Sequence, residues 1–479
     1  MTRHPPSVAV RDRILGPIRA AVGERGVIED PAEMKPMLES WRDGWIGSAA
    51  VVVQPATTAE LQAVVRICAD AGVAIVTQGG NTGLTGGGQP REGGDEVLIT
   101  TRRLNRIRSI DIENDTMVVE SGCILADVQS AARRHDRLFP LSLGAEGSCT
   151  IGGNIATNAG GINALRYGSM RELVVGLEVV MPDGRLWDGL RALRKDNAGY
   201  NLRHVFIGSE GTLGIVTAAV LKLAPLPRVS ATVMVGMESP DRALGWLQRL
   251  KARFGERLQA CELIERVCIE VARRHVPDIR DPLATPHPWY VLAEVASQDA
   301  EDDLADGIGA AFAEALEAGE VVDGVIASSI DQAAALWRIR EAIPEGQKHE
   351  GVSFKHDISV PVSKVPRFLA EANAALAVAF PGIRPFAFGH LGDGNIHFNP
   401  IQASGEPGDL WEMRLAAANR ITHDIAVGLG GSISAEHGIG RLRLEEMKHY
   451  KPELEIELMA RLKAAFDPAG LLNPGKVLG

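Results

Sequence analysis

The sequence lacks the features that would place it in several large functional classes. Its five cysteines, Cys68, Cys123, Cys149, Cys261 and Cys268, are scattered and form no C-x-x-C pair. That spacing argues against an iron–sulfur cluster or a disulfide framework and leaves reduced, buried thiols as the simple reading. No lysine- and arginine-rich run is interleaved with aromatics, and the formal net charge of -11 repels polyanions. Nucleic acid is therefore not an expected partner. No stretch of about 18 apolar residues is available to cross a membrane. The segment Met1–Ala21 has no apolar core of signal-peptide length, so a cytoplasmic protein is expected. Neither G-x-G-x-x-G at a strand-to-helix turn nor the Gly-Lys-Ser/Thr ending of a P-loop occurs, which removes the two commonest nucleotide-binding motifs. Internal repeats and low-complexity tracts are also missing.

What is present is an ordinary globular composition, 45% hydrophobic and 23% charged, in a chain of 479 residues. That length exceeds what one core usually serves, so two or three domains are expected. The pattern predicts a strand over 51–53, a helix over 61–71 opened by the capping box Thr57-x-x-Glu60, and a strand over 73–76 that runs into a glycine-rich segment. Strands follow at 107–110, 117–120, 174–181 and 215–223, with a helix over 125–134. The run Ala224-Pro-Leu-Pro-Arg228 marks a boundary, beyond which strand and helix patterns alternate afresh. Strands are expected at 231–236, 290–295 and 321–327. Helices are expected at 242–254, 304–318, 331–343, 363–379, 409–427 and 453–465. The expected class is α+β.

Three segments are built for close backbone approach. Thr77–Gly88 packs six glycines into twelve residues, so several N–H groups can turn toward one anion, as a diphosphate cradle requires. Alone, such a cluster equally suits a flexible surface loop. Pro140–Gly144 followed by Cys149–Gly161 is again rich in small residues, with hydroxyl and amide side chains that suit a flat aromatic ring. Phe206–Ile215 then sets glycines and Glu210 before a strand, suiting hydrogen bonds to a long cofactor. Three such segments in order are poorly explained as linkers.

A second constellation lies downstream. Phe386–Asn399 reads as two apolar strands joined at Asp393-Gly394, a two-residue hairpin signal. Counting outward sets His390 opposite His397, with Cβ atoms about 5 Å apart, a spacing that suits two ligands on one metal. Asn399 shares the face of His397. Further on, Glu436 and His437 stand side by side in a glycine-flanked bend, and Glu436 would complete a His/His/Glu site for zinc, manganese or iron. These residues alone leave a zinc metallohydrolase open, with His437 activating water.

Together, these motifs resemble the vanillyl-alcohol oxidase type of FAD-binding family, particularly its D-2-hydroxyacid dehydrogenase branch, over nearly the whole chain. The resemblance implies a two-subdomain FAD-binding domain over 1–227, divided near 105. It implies an α+β substrate (cap) domain over 228–465 with an antiparallel sheet and the metal site, and a tail over 466–479 that returns to the FAD domain. Gly79, Gly80, Asn81, Thr82 and Gly83 would bind pyrophosphate. Ser142, Gly144, Thr150, Gly153, Asn154, Thr157, Gly161, Glu210 and Ile215 would line the rest of FAD, and Asn473 would border the flavin. Many relatives link flavin through a histidine in the first loop; Asn81 stands there in this chain, implying non-covalent FAD.

On the same resemblance His390, His397 and Glu436 bind a divalent metal, zinc first, and His437 is the base that takes the hydroxyl proton. Arg340 and Lys355 hold the substrate carboxylate. D-2-hydroxyglutarate and D-lactate are both implied as substrates, because Pro344 stands where the dicarboxylate enzymes often carry threonine. Electrons would pass to an electron-transfer flavoprotein, a cytochrome or a quinone. A flavin subunit of a larger glycolate- or lactate-oxidising assembly is the other reading, and a homodimer is the symmetry expectation.

Overall fold

A computed structural model describes residues 8–479. The described chain divides into two compact units. The first holds the residues up to Gly161, then Tyr167–Leu226 and Glu436–Gly479; the second holds Ile162–Arg166 and Pro227–Ala435.

In the first unit, helix α1 (Val8–Val22) precedes a sheet of four strands, β1 (Val27–Ile28), β2 (Val51–Val53), β3 (Ile75–Gln78) and β4 (Val97–Thr100), in the order β1-β2-β4-β3. The last three are parallel and β1 is antiparallel to β2. Helix α2 (Thr58–Ala71) makes the crossover from β2 to β3, which run parallel on either side of β4. Its cap is the one the sequence signals: Thr57 Oγ1 accepts from the Glu60 N–H at 3.1 Å, while the Glu60 carboxylate reaches back to the Ala56 N–H at 2.7 Å.

Strand β3 starts two positions later than the hydrophobic pattern suggests. Gly72 takes a left-handed conformation (φ 65°), and the Val73 N–H bonds back to the Cys68 carbonyl at 2.8 Å, so Val73 belongs to the helix end. The shift makes Gln78 the last strand residue, directly before the glycine segment.

The second sheet of this unit contains β5 (Ile107–Asp111), β6 (Thr116–Glu120), β8 (Val174–Val180), β9 (Leu186–Gly189) and β10 (Ile215–Lys222), antiparallel in the order β5-β6-β10-β8-β9. The short strands β7 (Arg137–Leu138) and β11 (Ala224–Pro225) pair with each other. Helix α3 (Leu125–Arg133) packs Leu125, Val128 and Ala132 into the core of this sheet, and α4 (Ile151–Thr157) adds Ile151 and Ile155.

The second unit is built on one antiparallel sheet of seven strands: β12 (Val229–Met237), β13 (Leu258–Glu265), β14 (Trp289–Ser297), β15 (Asp323–Ile326), β16 (His356–Ser359), β17 (Ala387–His390) and β18 (Asn395–Phe398). The order is β15-β12-β14-β13-β17-β18-β16. Side-chain alternation feeds two cores. Val233, Val235, Leu263 and Val291 join Trp246 and Leu250 of α5 (Pro240–Phe254) on one face. Met234, Ile264, Tyr290 and Leu292 join α6 (Arg266–His275) and α8 (Ile330–Gln347) on the other. Burial on both faces explains why these strands read as continuous apolar runs. Helices α7 (Leu304–Glu317), α9 (Val365–Ala379) and α10 (Leu415–Gly428) complete this unit. The single helix expected over 409–427 is broken at Arg414, with a short preceding helix over Gly408–Met413.

The observed architecture is α+β. The returning segment differs from expectation: it starts at Glu436, not at residue 466, and carries α11 (Leu444–Tyr450) and α12 (Glu453–Phe466) with it. Its bonding partners give the reason. The Arg441 N–H donates to the Thr85 carbonyl at 3.0 Å, Lys463 Nζ donates to the carbonyls of Thr212 and Leu472 at 2.8 Å, and Phe466 packs edge-on against Phe206. Residues Ile162–Arg166 leave the first unit because Leu165 packs against the second unit's core and Arg166 donates to the Ala296 carbonyl at 2.8 Å.

Candidate active site

In the first unit, the end of β3, the glycine segment, α4 and the turn before β10 converge on one cleft. Gly79, Gly80, Asn81, Thr82, Gly83, Thr150, Gly153, Asn154, Thr157, Glu210 and Ile215 all line it. Ser142, Gly144, Gly161 and Asn473 lie off the lining. Ser142 instead forms a β-bridge with Gly161, where a Cβ would stand 2.0 Å from the Ser142 carbonyl oxygen. The second small-residue segment is thus partly helix, since Ile151–Thr157 forms α4 behind Thr150.

The cleft fits a long polar cofactor. At Gly80 a Cβ would sit 2.1 Å from the Ser148 carbonyl oxygen, so no side chain can intrude there. Gln78 Oε1, Thr150 Oγ1 and Asn473 Oδ1 are buried without a hydrogen-bond partner among the described residues. Buried polar atoms are normally satisfied, and two of these, on Gln78 and Thr150, belong to residues that line the cleft, which points to a ligand with hydrogen-bonding groups. The sequence pattern gave no weight to Gln78, which lines the cleft and whose amide donates to the carbonyls of Met37 and Gly88 at 2.9 and 2.8 Å.

Two of the lining side chains also have local partners. Asn81 Nδ2 donates to the carbonyls of Pro36 and Glu39, both at 3.1 Å. The Glu210 carboxylate accepts the N–H groups of Ile439 and Gly440 at 2.8 Å each. Burial pushes the Glu210 carboxyl above its ordinary range, against the pull of those two N–H groups.

In the second unit the histidine hairpin departs from the predicted register. His390 pairs with Asn395 and His397 with Phe388, across a four-residue connection Leu391–Gly394. The Asp-Gly turn is overridden by packing: Leu391 is fully buried and the Val360 N–H donates to the Gly394 carbonyl at 3.1 Å. His390 and His397 are therefore diagonal neighbours on one face, with ring centroids 5.5 Å apart.

Each histidine has a buried carboxylate at its Nδ1. His390 Nδ1 lies 2.6 Å from Glu262 Oε1, and His397 Nδ1 lies 3.8 Å from Asp357 Oδ1, which also accepts from Asn395 Nδ2 at 3.0 Å. At His390 this hydrogen bond makes Nε2 the lone-pair donor, the arrangement found behind metal-ligating histidines, whereas the His397–Asp357 distance is that of an ion pair without a hydrogen bond. This donor set fits a divalent metal. Glu262 and Asp357 were not among the residues singled out in the sequence. The signal at Glu262 is a lone carboxylate within the apolar run Ala260–Ile264.

Glu262 also accepts from Arg340 Nε at 2.6 Å through its second oxygen. Burial alone would raise the Glu262 carboxyl, but the opposing pull of His390 and Arg340 holds it well below the usual carboxylate range. The Arg340 guanidinium, on α8, lies 4.6 Å over the Phe388 ring, and its Nη groups make no hydrogen bond among the described residues.

Lys355 is exposed, between the buried Phe354 and His356. The Asn399 side chain accepts from the His356 N–H at 3.2 Å and donates to Gln347 Oε1 at 3.2 Å. Glu436 and His437 open the returning segment of the first unit. There the Glu436 carboxylate accepts the Gly161 N–H at 2.5 Å, and the His437 carbonyl accepts from Thr85 Oγ1 at 3.1 Å.

Comparison with known proteins matches an FAD binding domain over residues 49–189 and the C-terminal domain of FAD linked oxidases over residues 226–477. The chain belongs to the FAD-linked oxidase family. This FAD-linked oxidase is an oxidoreductase, and the cleft of its first unit lies within the matched FAD-binding segment and the turn before β10. It is 39% identical to D-2-hydroxyglutarate dehydrogenase of Xanthomonas citri pv. viticola over 97% of this chain and 96% of that protein. With the mitochondrial D-2-hydroxyglutarate dehydrogenase of Bos taurus it shares 36% identity over 99% of this chain and 85% of the relative. Among solved structures, p-cresol methylhydroxylase superposes with a TM-score of 0.76 at 17% identity, covering 99% of this chain and 98% of that one, which shows a common fold.

Proposed function

We propose that this FAD-linked oxidase is a metal-assisted dehydrogenase of D-2-hydroxyacids, with D-2-hydroxyglutarate as its first substrate. The observation that carries this reading is near-full-length similarity to D-2-hydroxyglutarate dehydrogenases at 36–39% identity. FAD, held non-covalently in the first unit's cleft, would supply a two-electron acceptor for oxidation of the substrate carbon. Asn81 supplies an amide at the loop position, a poor nucleophile for a covalent link. A divalent metal held by His390, His397 and Glu436 would supply Lewis acidity toward the substrate hydroxyl.

The chain's own residues provide the rest. Arg340 presents its Nη pair to the α-carboxylate while its Nε stays on Glu262. Lys355 supplies a second cation for the substrate's carboxylate groups. His437 takes the hydroxyl proton at a ring nitrogen, a role suited to an imidazole whose ordinary pKa lies near neutrality. Asn399 holds the backbone of His356 and so keeps β16 in register beside β18. Electrons leave to an electron-transfer flavoprotein, a cytochrome or a quinone.

Anaerobic mixing with D- and L-2-hydroxyglutarate and D- and L-lactate tests the assignment. The yellow flavin absorbance should bleach with D-2-hydroxyglutarate and persist with both L-acids. Bleaching by an L-acid, or by none of the four, would reject it.

A further inference from the structure

We propose that Glu262 is the positioning residue that holds His390 and Arg340 in their working orientations, one carboxylate oxygen for each. This rests on the metal-assisted reading above and concerns how the same site is set. Glu262 stands directly opposite His390 in the β13–β17 register, so the sheet itself brings the carboxylate to the imidazole. Oε1 meets His390 Nδ1 at 2.6 Å, and Oε2 meets Arg340 Nε at 2.6 Å. Glu262 is 0% exposed and Arg340 6%, so water offers neither donor a ready substitute.

Two consequences follow from this geometry. Acceptance of the Nδ1–H fixes the His390 tautomer with its lone pair on Nε2, the nitrogen through which a metal would be held. Acceptance of the Nε–H, with the Phe388 ring beneath the guanidinium, leaves Arg340 only its Nη pair for a planar carboxylate. One buried side chain thus sets both the metal ligand and the substrate anchor, and the distance between them is fixed by strand pairing and α8.

The test uses the full-length, FAD-loaded protein and its Glu262→Gln, Glu262→Asp and His390→Ala variants. Zinc affinity is measured by equilibrium dialysis with metal analysis. Steady-state kinetics use D-2-hydroxyglutarate and a dye acceptor at saturating zinc. Glutamine has one acceptor oxygen for two donors. Glu262→Gln should therefore weaken zinc binding roughly 10- to 100-fold and raise KM about tenfold, with FAD content unchanged. Aspartate keeps both oxygens and should recover part of each loss.

If Glu262→Gln does not fold, weakened zinc binding with full FAD in Glu262→Asp supports the proposal. Wild-type zinc affinity and KM in Glu262→Gln would overturn it. So would a parallel loss of FAD, zinc and substrate binding in both variants, the mark of a merely structural role. His390→Ala separates the two levels. If it binds zinc like the wild type, the metal reading itself fails. If it loses zinc while Glu262→Gln keeps it, only the Glu262 assignment fails.

Discussion

The cofactor cleft and the histidine site are built from opposite materials. The cleft is shaped by backbone, with glycines where a Cβ would strike a neighbouring oxygen, and it carries buried side-chain oxygens that have no partner among the described residues. The histidine site is made of side chains that are already paired, His390 with Glu262, His397 beside Asp357 and Arg340 on Glu262. A backbone-built site gains its missing hydrogen bonds when the ligand arrives. A side-chain-built site is oriented beforehand, at the cost of burying charge on the flank of a core.

That difference can be broken first at Gly80. Gly80→Val places carbon against the Ser148 carbonyl oxygen, and the expected product is a colourless protein that takes up no added FAD and has no activity. Flavin content is read from the visible absorbance, and a yellow variant would contradict the role given to that position. At the other site, His397→Ala should lose the metal and about 1000-fold or more in turnover while remaining yellow. Unchanged activity would remove His397 from the site. A smaller effect is expected at Thr150→Val, which keeps the shape and deletes a hydroxyl that has no partner among the described residues. One hydrogen bond is worth about 1 kcal/mol, so FAD should bind about fivefold more weakly, as measured by titration of the flavin-free protein. An unaltered dissociation constant would mean that Oγ1 meets no cofactor atom.

The contrast also appears within β13, where two glutamates meet different fates. Glu262 has two cationic or donor partners and is held ionised, whereas Glu265 has only the Ala387 N–H, at 2.9 Å, among the described residues, and burial pushes it up to about 7. Because the folded state raises the Glu265 pKa above its ordinary 4.5, folding favours the protonated form. Its contribution to stability is full below pH 4.5 and declines as pH rises toward 7. Glu265→Gln should flatten this part of the pH profile of the thermal midpoint. Identical slopes in variant and wild type between these pH values would show that Glu265 does not titrate in this way.

The same contrast explains what could be read in advance. Glycine leaves a direct mark in the sequence, so the segment Thr77–Gly88 was legible, and so were strands rich in apolar residues such as β12 and β14. His390 and His397 were legible as a same-face pair, but their register was not. The Asp393-Gly394 signal is local, whereas Leu391 in the core and Gly394 against Val360 are tertiary constraints. The carboxylates behind the histidines were least legible. Glu262 lies 128 residues from His390 in sequence, and only strand pairing brings them together. The early start of the returning segment was hidden for a similar reason, since Thr85, which accepts from Arg441, and Thr212, which accepts from Lys463, lie hundreds of residues earlier.

The central claim is that a cleft suited to FAD and a histidine site suited to a divalent metal serve one reaction. The most direct measurement is the rate of anaerobic flavin bleaching by D-2-hydroxyglutarate, before and after the metal is removed with a chelator and again after zinc is restored. The expected result is that the stripped protein keeps its FAD and its yellow colour in the presence of substrate, and bleaches once zinc returns. Bleaching at the same rate in all three states would contradict the account.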